Sequence, residues 1–299
     1  MEPNKGLSQT LRVLAMRRFY RFISAWGWRR WTSPITFTDV RIPCEPLSVG
    51  TRLYSPQQSE DKPLIVYIHG GGWVMGDLET HHSFCLALGE ASACNVIALD
   101  YRLAPEHAYP AAHDDCLAAT SWLVDHARDL VPCNGKFIIA GDSAGGNLAT
   151  CTTLELEAER REKVLGQLLI YPATDHYSVG TGSYVIKAKG QLLTSSMMLW
   201  FWDTYLGGAG STEAMTERAF PARSEHLAEQ PPTMLITAEG DPLRDEGRSY
   251  ADALEKAGVA TTYHHFANAD HGFACSDGPT ADHVLFINQF KTWLQTVTA

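Results

Sequence analysis

A serine set between glycines, Gly141-Asp142-Ser143-Ala144-Gly145, is the clearest chemical signal in this chain. It directly follows the apolar run Phe137-Ile138-Ile139-Ala140. It directly precedes the helix-compatible Gly146-Asn147-Leu148-Ala149-Thr150-Cys151. A strand-to-helix turn this sharp leaves no room for side chains beside the serine backbone, and it lifts Oγ clear of the sheet. A hydroxyl presented in this way can attack a carbonyl carbon once a base removes its proton. The chain must therefore supply a histidine, and an acid to orient it.

Asp241 follows the strand-like Met234-Leu235-Ile236-Thr237-Ala238-Glu239-Gly240. His271 follows the strand-like Thr261–Phe266 and the short loop Ala267-Asn268-Ala269-Asp270. Sites in open α/β sheets lie at the carboxyl ends of strands, so both positions suit a nucleophile–acid–base set read in that chain order. The plain structural role for Asp241 is a helix N-cap before Pro242-Leu243. Asp245 and Glu246 fall inside the next predicted helix, and Asp270, adjoining His271, is the weaker acid candidate. Among the twelve histidines, His264 and His265 read as strand packing, one buried and one exposed. His81 and His82 open a helix, and His126, His226 and His283 read as solvated surface residues. No H-E-x-x-H or cysteine–histidine cluster supports a metal site.

Acyl transfer also needs donors for an oxyanion. One should be the N–H of Ala144, just after the nucleophile. His69-Gly70-Gly71-Gly72 follows the strand Leu64–Ile68, and its glycines let backbone N–H groups face a site without a Cβ in the way. The loop lacks the G-K-[ST] of a phosphate loop and does not match G-x-G-x-x-G, so nucleotide binding is not expected.

Eight strands are predicted to carry these residues: Thr36–Ile42, Thr51–Tyr54, Leu64–His69, Asn95–Asp100, Phe137–Gly141, Gln167–Tyr171, Met234–Ala238 and Thr261–Phe266. Runs such as Leu64-Ile65-Val66-Tyr67-Ile68 suit central strands covered on both faces. Helices are predicted from Pro110 to about Leu130, from Leu243 to Ala257 before Gly258, and from Pro279 to Leu294. The alternation gives an α/β fold with a mostly parallel sheet, and the first strands form an antiparallel edge. Two stretches break it. In Met1 to Pro34, Leu11, Leu14, Ala15, Phe19, Phe22, Ile23 and Trp26 recur at helical spacing between arginines. Asp175 to Phe220 holds Met197-Met198-Leu199-Trp200-Phe201-Trp202 after the candidate N-caps Thr194 and Ser195.

The chain has 299 residues, 45% of them hydrophobic, enough for a sizeable core. Its formal net charge of -10 argues against nucleic acid as a partner. The seven cysteines are scattered, with no C-x-x-C pair, which favours a reducing compartment and a cytoplasmic location. No apolar run is long enough to span a membrane. The N-terminal apolar stretch is broken by Arg17, Arg18 and Arg21 and does not read as a signal peptide.

Five segments together resemble the hormone-sensitive-lipase-like family of esterases, α/β-hydrolases with an H-G-G-G loop. They are His69-Gly70-Gly71-Gly72-Trp73, Asp100-Tyr101-Arg102-Leu103-Ala104-Pro105-Glu106, Gly141-Asp142-Ser143-Ala144-Gly145-Gly146, Asp241-Pro242-Leu243-Arg244-Asp245-Glu246 and His271-Gly272-Phe273. The resemblance implies an α/β-hydrolase fold over residues 35–175 and 221–299. It implies a catalytic set of Ser143, Asp241 and His271, with oxyanion donors at Gly71, Gly72 and Ala144. It also implies hydrolysis of short- to medium-chain carboxylic esters, small molecules, without a cofactor. Arg102 is expected to anchor loops by ion pairing. Family members carry a helical cap, here matched to 1–34 and 176–220. A basic amphipathic helix on a membrane surface is the other reading of the N-terminal segment. Trp73, Met197, Trp200 and Phe201 are the candidate substrate-binding residues, although the Met197–Trp202 cluster could equally seal cap to sheet. An amidase or deacetylase at the same site, or a binding protein on the same scaffold, are the alternative functions.

Overall fold

Every run that reads as a strand pairs into one sheet. The computed structural model describes residues 4–28, 32–46, 48–57, 59–186, 192–208, 218–275 and 278–299, with backbone alone for 4–10, 27 and 28. In chain order the elements are α1 (Asn4–Trp28), β1 (Thr36–Ile42), β2 (Val49–Ser55), β3 (Leu64–Ile68), α2 (His82–Ser92), β4 (Val96–Asp100), α3 (Ala111–Leu130), β5 (Phe137–Asp142) and α4 (Ala144–Glu155). They continue with α5 (Ala158–Arg161), β6 (Val164–Ile170), α6 (Gly182–Ile186), α7 (Ser195–Tyr205), β7 (Thr233–Gly240), α8 (Arg244–Lys256), β8 (Thr261–Asp270) and α9 (Ala281–Thr298). Parts of the two stretches that broke the alternation, 1–3, 29–31, 187–191 and 209–217, lie outside the described residues.

The strand order is β1-β2-β4-β3-β5-β6-β7-β8. The pairs β1–β2 and β2–β4 are antiparallel and the remainder parallel. The direction changes because β1 to β3 are joined by short links, while each later parallel pair needs a longer crossover. Side chains alternate between two cores. Val66, Ile68, Ile97, Leu99, Ile139 and Leu169 pack with α3, α4 and α8 on one face. Ile65, Tyr67, Val96, Ala98, Ile138 and Leu168 pack with α2 and α9 on the other. This two-residue period is why the central strands read as continuous apolar runs.

α7 starts where its cap residue dictates. The Thr194 side chain accepts the Met197 N–H at 3.2 Å. α1 is tied down by two guanidinium groups: Arg17 donates to the Val74 carbonyl at 2.8 Å and to the Ala104 carbonyl at 3.0 Å and pairs with Glu106 at 2.8 Å, and Arg21 pairs with Asp77 at 2.8 Å. Arg102 pairs with the buried Asp115 at 2.7 Å, anchoring the loop after β4 to α3.

Candidate active site

Three strand ends meet at one rim of the sheet. β5 ends at Asp142 and α4 begins at Ala144, so Ser143 alone makes the turn, at φ 54° and ψ -120°. A non-glycine residue held there costs on the order of 1–3 kcal/mol. Neighbouring hydrogen bonds hold it: the Ser143 N–H donates to the Ile170 carbonyl at 2.8 Å, and its carbonyl accepts the Asn147 N–H at 3.1 Å. Gly145 is required by close approach, since a Cβ there would strike the Ile68 and His69 carbonyls.

His271 follows β8 directly. Its Nε2 lies 3.0 Å from Ser143 Oγ and its Nδ1 lies 2.7 Å from Asp241 Oδ2. Asp241 is fully buried, and its Oδ1 accepts the Leu243 N–H at 2.8 Å. It therefore shapes the start of α8 as well as holding the imidazole. The 2.7 Å contact requires Nδ1 to carry the proton, which leaves Nε2 free to accept one from Oγ. Asp270 instead pairs with Gly240 across the sheet.

Opposite Ser143, the glycine loop turns through positive φ at Gly71 (117°), Gly72 (61°) and Trp73 (59°). The N–H groups of Gly71, Gly72 and Ala144 have no protein acceptor among the described residues. Asp142 joins this loop to the serine turn. Its Oδ1 accepts the Gly70 N–H at 2.8 Å and the Tyr67 hydroxyl at 2.5 Å, with His81 Nε2 at 3.4 Å. Burial pushes the Asp142 carboxyl up, but His81, Tyr67 and the Gly70 N–H together outweigh it and hold the group below the usual carboxylate range. Burial and the neighbouring His81 lower His69 to about 4, so it is neutral at pH 7. Its ring stacks on Tyr101 at 4.3 Å. His69 thus stiffens the loop without adding charge beside it.

A cavity of about 580 Å³ opens over these groups, lined by Gly71, Gly72, Ser143, Ala144 and His271. Its walls come from α1 and α7 and are mainly apolar.

A family model described as alpha/beta hydrolase fold matches residues 65–275. The chain is 39% identical to the carboxylic ester hydrolase LipN of Mycobacterium tuberculosis, over 80% of this chain and 64% of LipN. The chain belongs to the hormone-sensitive-lipase-like family of α/β-hydrolases. The chain is also 35% identical to an ethyl acetate hydrolase of Pseudomonas putida, over 76% of its own length and 71% of that protein. A solved esterase of Pyrobaculum calidifontis superposes with a TM-score of 0.89 at 35% identity, covering 96% of this chain and 94% of that one.

Of the residues the sequence singled out for substrate contact, Trp73, Met197 and Phe201 border the cavity and Trp200 does not. The helical repeat puts Met197, Met198 and Phe201 on one arc of α7 and turns Trp200 past its edge. Met198 takes the place expected for Trp200. The Trp73 ring is fully buried, stacked on Tyr205 at 4.5 Å and beside Trp202 at 4.2 Å. Within the Met197–Trp202 cluster, Met197, Met198 and Phe201 face the cavity, and Trp202 packs against Trp73. His283, expected at the surface, is buried, with Nδ1 2.8 Å from the Ala274 carbonyl. It faces inward because α9 covers the sheet. His264, on an edge strand, is only half-buried and His265 is exposed.

Sequence reasoning missed two carboxylates. Asp142 lay within the glycine–serine pentapeptide, but its link to Gly70 spans two strands and leaves no local pattern. Glu246 is buried, and its Oε1 accepts the Thr174 N–H at 2.8 Å. Burial raises its carboxyl well above the usual range, and nearby Asp241 adds to this against the backbone donors. The folded protein therefore holds this proton more tightly than the unfolded chain. Stability is then lost as pH rises above about 4.3, the unfolded value, by at most about 1.4 kcal/mol per pH unit until the folded pKa is passed. Glu246→Gln keeps an acceptor for Thr174 and removes that loss. Its thermal midpoint is expected to exceed that of the parent by a margin that widens with pH. A constant margin across pH would contradict the raised value.

Proposed function

We propose that this chain is a serine carboxylesterase acting on short- to medium-chain esters through an acyl-enzyme. The observation that carries the reading is the 3.0 Å contact between His271 Nε2 and Ser143 Oγ, next to glycine N–H groups that have no acceptor among the described residues. His271 takes the Oγ proton as Oγ bonds to the ester carbonyl carbon. The N–H groups of Gly71, Gly72 and Ala144 hold the resulting oxyanion. Asp241 fixes the imidazole through Nδ1 and stabilises its cation. As the tetrahedral species collapses, the C–O bond to the alcohol breaks and His271 gives the leaving oxygen its proton. A water then loses a proton to His271 and attacks the acyl carbon. Release of the acid returns the proton to Ser143. No cofactor enters these steps.

Residues 1–34 and 176–220 form the cap in this reading, supported by the α1 and α7 residues that line the cavity. The seven buried cysteines, none of them in a disulfide, support a reducing, cytoplasmic setting. Among the described residues no helix is long and apolar enough to cross a membrane. Fluorophosphonate labelling tests the assignment: the adduct is expected on Ser143, and a folded protein that takes no label would refute it. Matched amides are expected to react far more slowly than esters, which separates this reading from an amidase.

Phe201 sets the depth of the acyl site in this reading. Its ring lies where a Cβ on Gly72 would fall, and it borders the cavity. Phe201→Ala is expected to raise the ratio of kcat/KM for long over short acyl chains by about tenfold or more. An unchanged ratio across a series of acyl lengths would remove Phe201 from the acyl path.

A further inference from the structure

α1 has two unlike faces. Val13 and Ser24 turn inward and are buried. Outward lie Leu11 (60% exposed), Phe19 (65%), Phe22 (64%) and Trp26 (58%). Positions 11, 15, 19, 22 and 26 follow the helical repeat, so with Ala15 these side chains form one apolar stripe. Phe22 stacks on Trp26 at 6.2 Å. A stripe of this kind ordinarily faces a core, and on a protein surface it marks a site of interaction.

The stripe runs into the candidate active site. Phe19 and Trp26 line the Ser143 cavity while remaining largely exposed. Leu192, another lining residue, is 48% exposed. Apolar surface is therefore continuous from the outer side of α1 into the space above Ser143.

Charge indicates what covers this surface. Residues 4–28 contain Lys5, Arg12, Arg17, Arg18 and Arg21 and no acid, in a chain of net charge -10. Arg17 and Arg21 are used internally, on Glu106 and Asp77. Arg12 and Arg18 are exposed and have no acidic partner among the described residues. Apolar side chains flanked by exposed arginines match an anionic lipid layer, with the rings among the acyl chains and the guanidinium groups at the phosphates. At physiological salt the acidic body is screened beyond about 8 Å, whereas arginines in the contact layer are not. A protein partner seated here would cover the cavity mouth. A lipid layer would instead deliver ester into it.

We infer that α1 docks on an anionic lipid surface and holds the cavity mouth against it, so that lipid-dissolved esters reach Ser143 without crossing water. The docking is independent of the chemistry, but the delivery rests on the esterase reading. The test is co-sedimentation of the full chain with phosphatidylcholine vesicles containing about a third phosphatidylserine, and with phosphatidylcholine alone. Binding is expected only to the anionic vesicles, and to weaken as salt rises. Phe22→Asp and the pair Arg12→Glu/Arg18→Glu lie outside the cavity lining. Each is expected to weaken vesicle binding about tenfold or more, the loss of one buried aromatic or of two charge contacts. Hydrolysis of a water-soluble ester should be unchanged in both, and hydrolysis of a vesicle-embedded ester should fall with binding. Absent vesicle binding, or binding that ignores both variants, overturns the inference. So does a stable dimer in sedimentation that Phe22→Asp dissociates, because a second copy would then own the stripe. Ser143→Ala should bind vesicles as the parent does. A parent that binds vesicles yet hydrolyses no soluble ester would sink the esterase reading and leave the docking intact.

Discussion

Ser143→Ala is expected to reduce turnover of a simple ester by about 10⁶ while leaving the fold intact. The substitution removes Oγ and nothing else. Alanine meets the same backbone strain at φ 54° as serine does, and the hydrogen bonds that hold the turn, to Ile170 and from Asn147, belong to the backbone. The residual rate, on the order of 10³–10⁴ above water, would come from the glycine donors and from binding. His271→Ala should cost a comparable factor, and the double variant little more, because both residues act in the same proton transfer. Steady-state kinetics on the purified variants, with circular dichroism to confirm folding, decide the matter. Esterase activity near that of the parent in Ser143→Ala would refute the mechanism.

The second large effect is expected at the glycine loop. Gly71 sits at φ 117°, and a Cβ there would run into the Met75 carbonyl, which accepts no compromise from a flexible side chain. Gly71→Ala must shift the backbone and misdirect its own N–H, with Gly72 next in line. Loss of one such donor costs on the order of 10²–10³ in kcat. KM should change little, because the donors act on charge that develops only in the transition state. Fluorophosphonate labelling of Ser143 should slow in parallel, since that adduct also places an oxygen in the cradle. A variant with an unaltered kcat would show that the oxyanion is held elsewhere.

Strand positions were legible because apolar continuity is a local signal. Thr36–Ile42 matches residue for residue, and the other strands differ by only a few residues at their ends. The serine turn was legible for the same reason, since its steric demand falls on five consecutive residues. Trp200 falls outside the cavity lining and His283 inside the core because side-chain direction on a helix depends on what the helix covers. Asp142 and Glu246 went unassigned because their partners, Gly70 and Thr174, lie 72 residues away in each case. The arginines of α1 were visible as charge, but only the folded chain separates Arg17, spent on Val74, Ala104 and Glu106, from Arg12 and Arg18, which are exposed and have no acidic partner among the described residues.

By itself the sequence determined the α/β alternation, the serine turn, the glycine loop and the places of Asp241 and His271 just after strands. Each is written in short runs whose backbone demands are local. Only the tertiary structure decided that one imidazole touches both Ser143 and Asp241, that α1 and α7 wall one cavity, and that an apolar stripe is left facing outward. Those outcomes depend on how the sheet and its covering helices pack, and packing is settled between residues far apart in the chain.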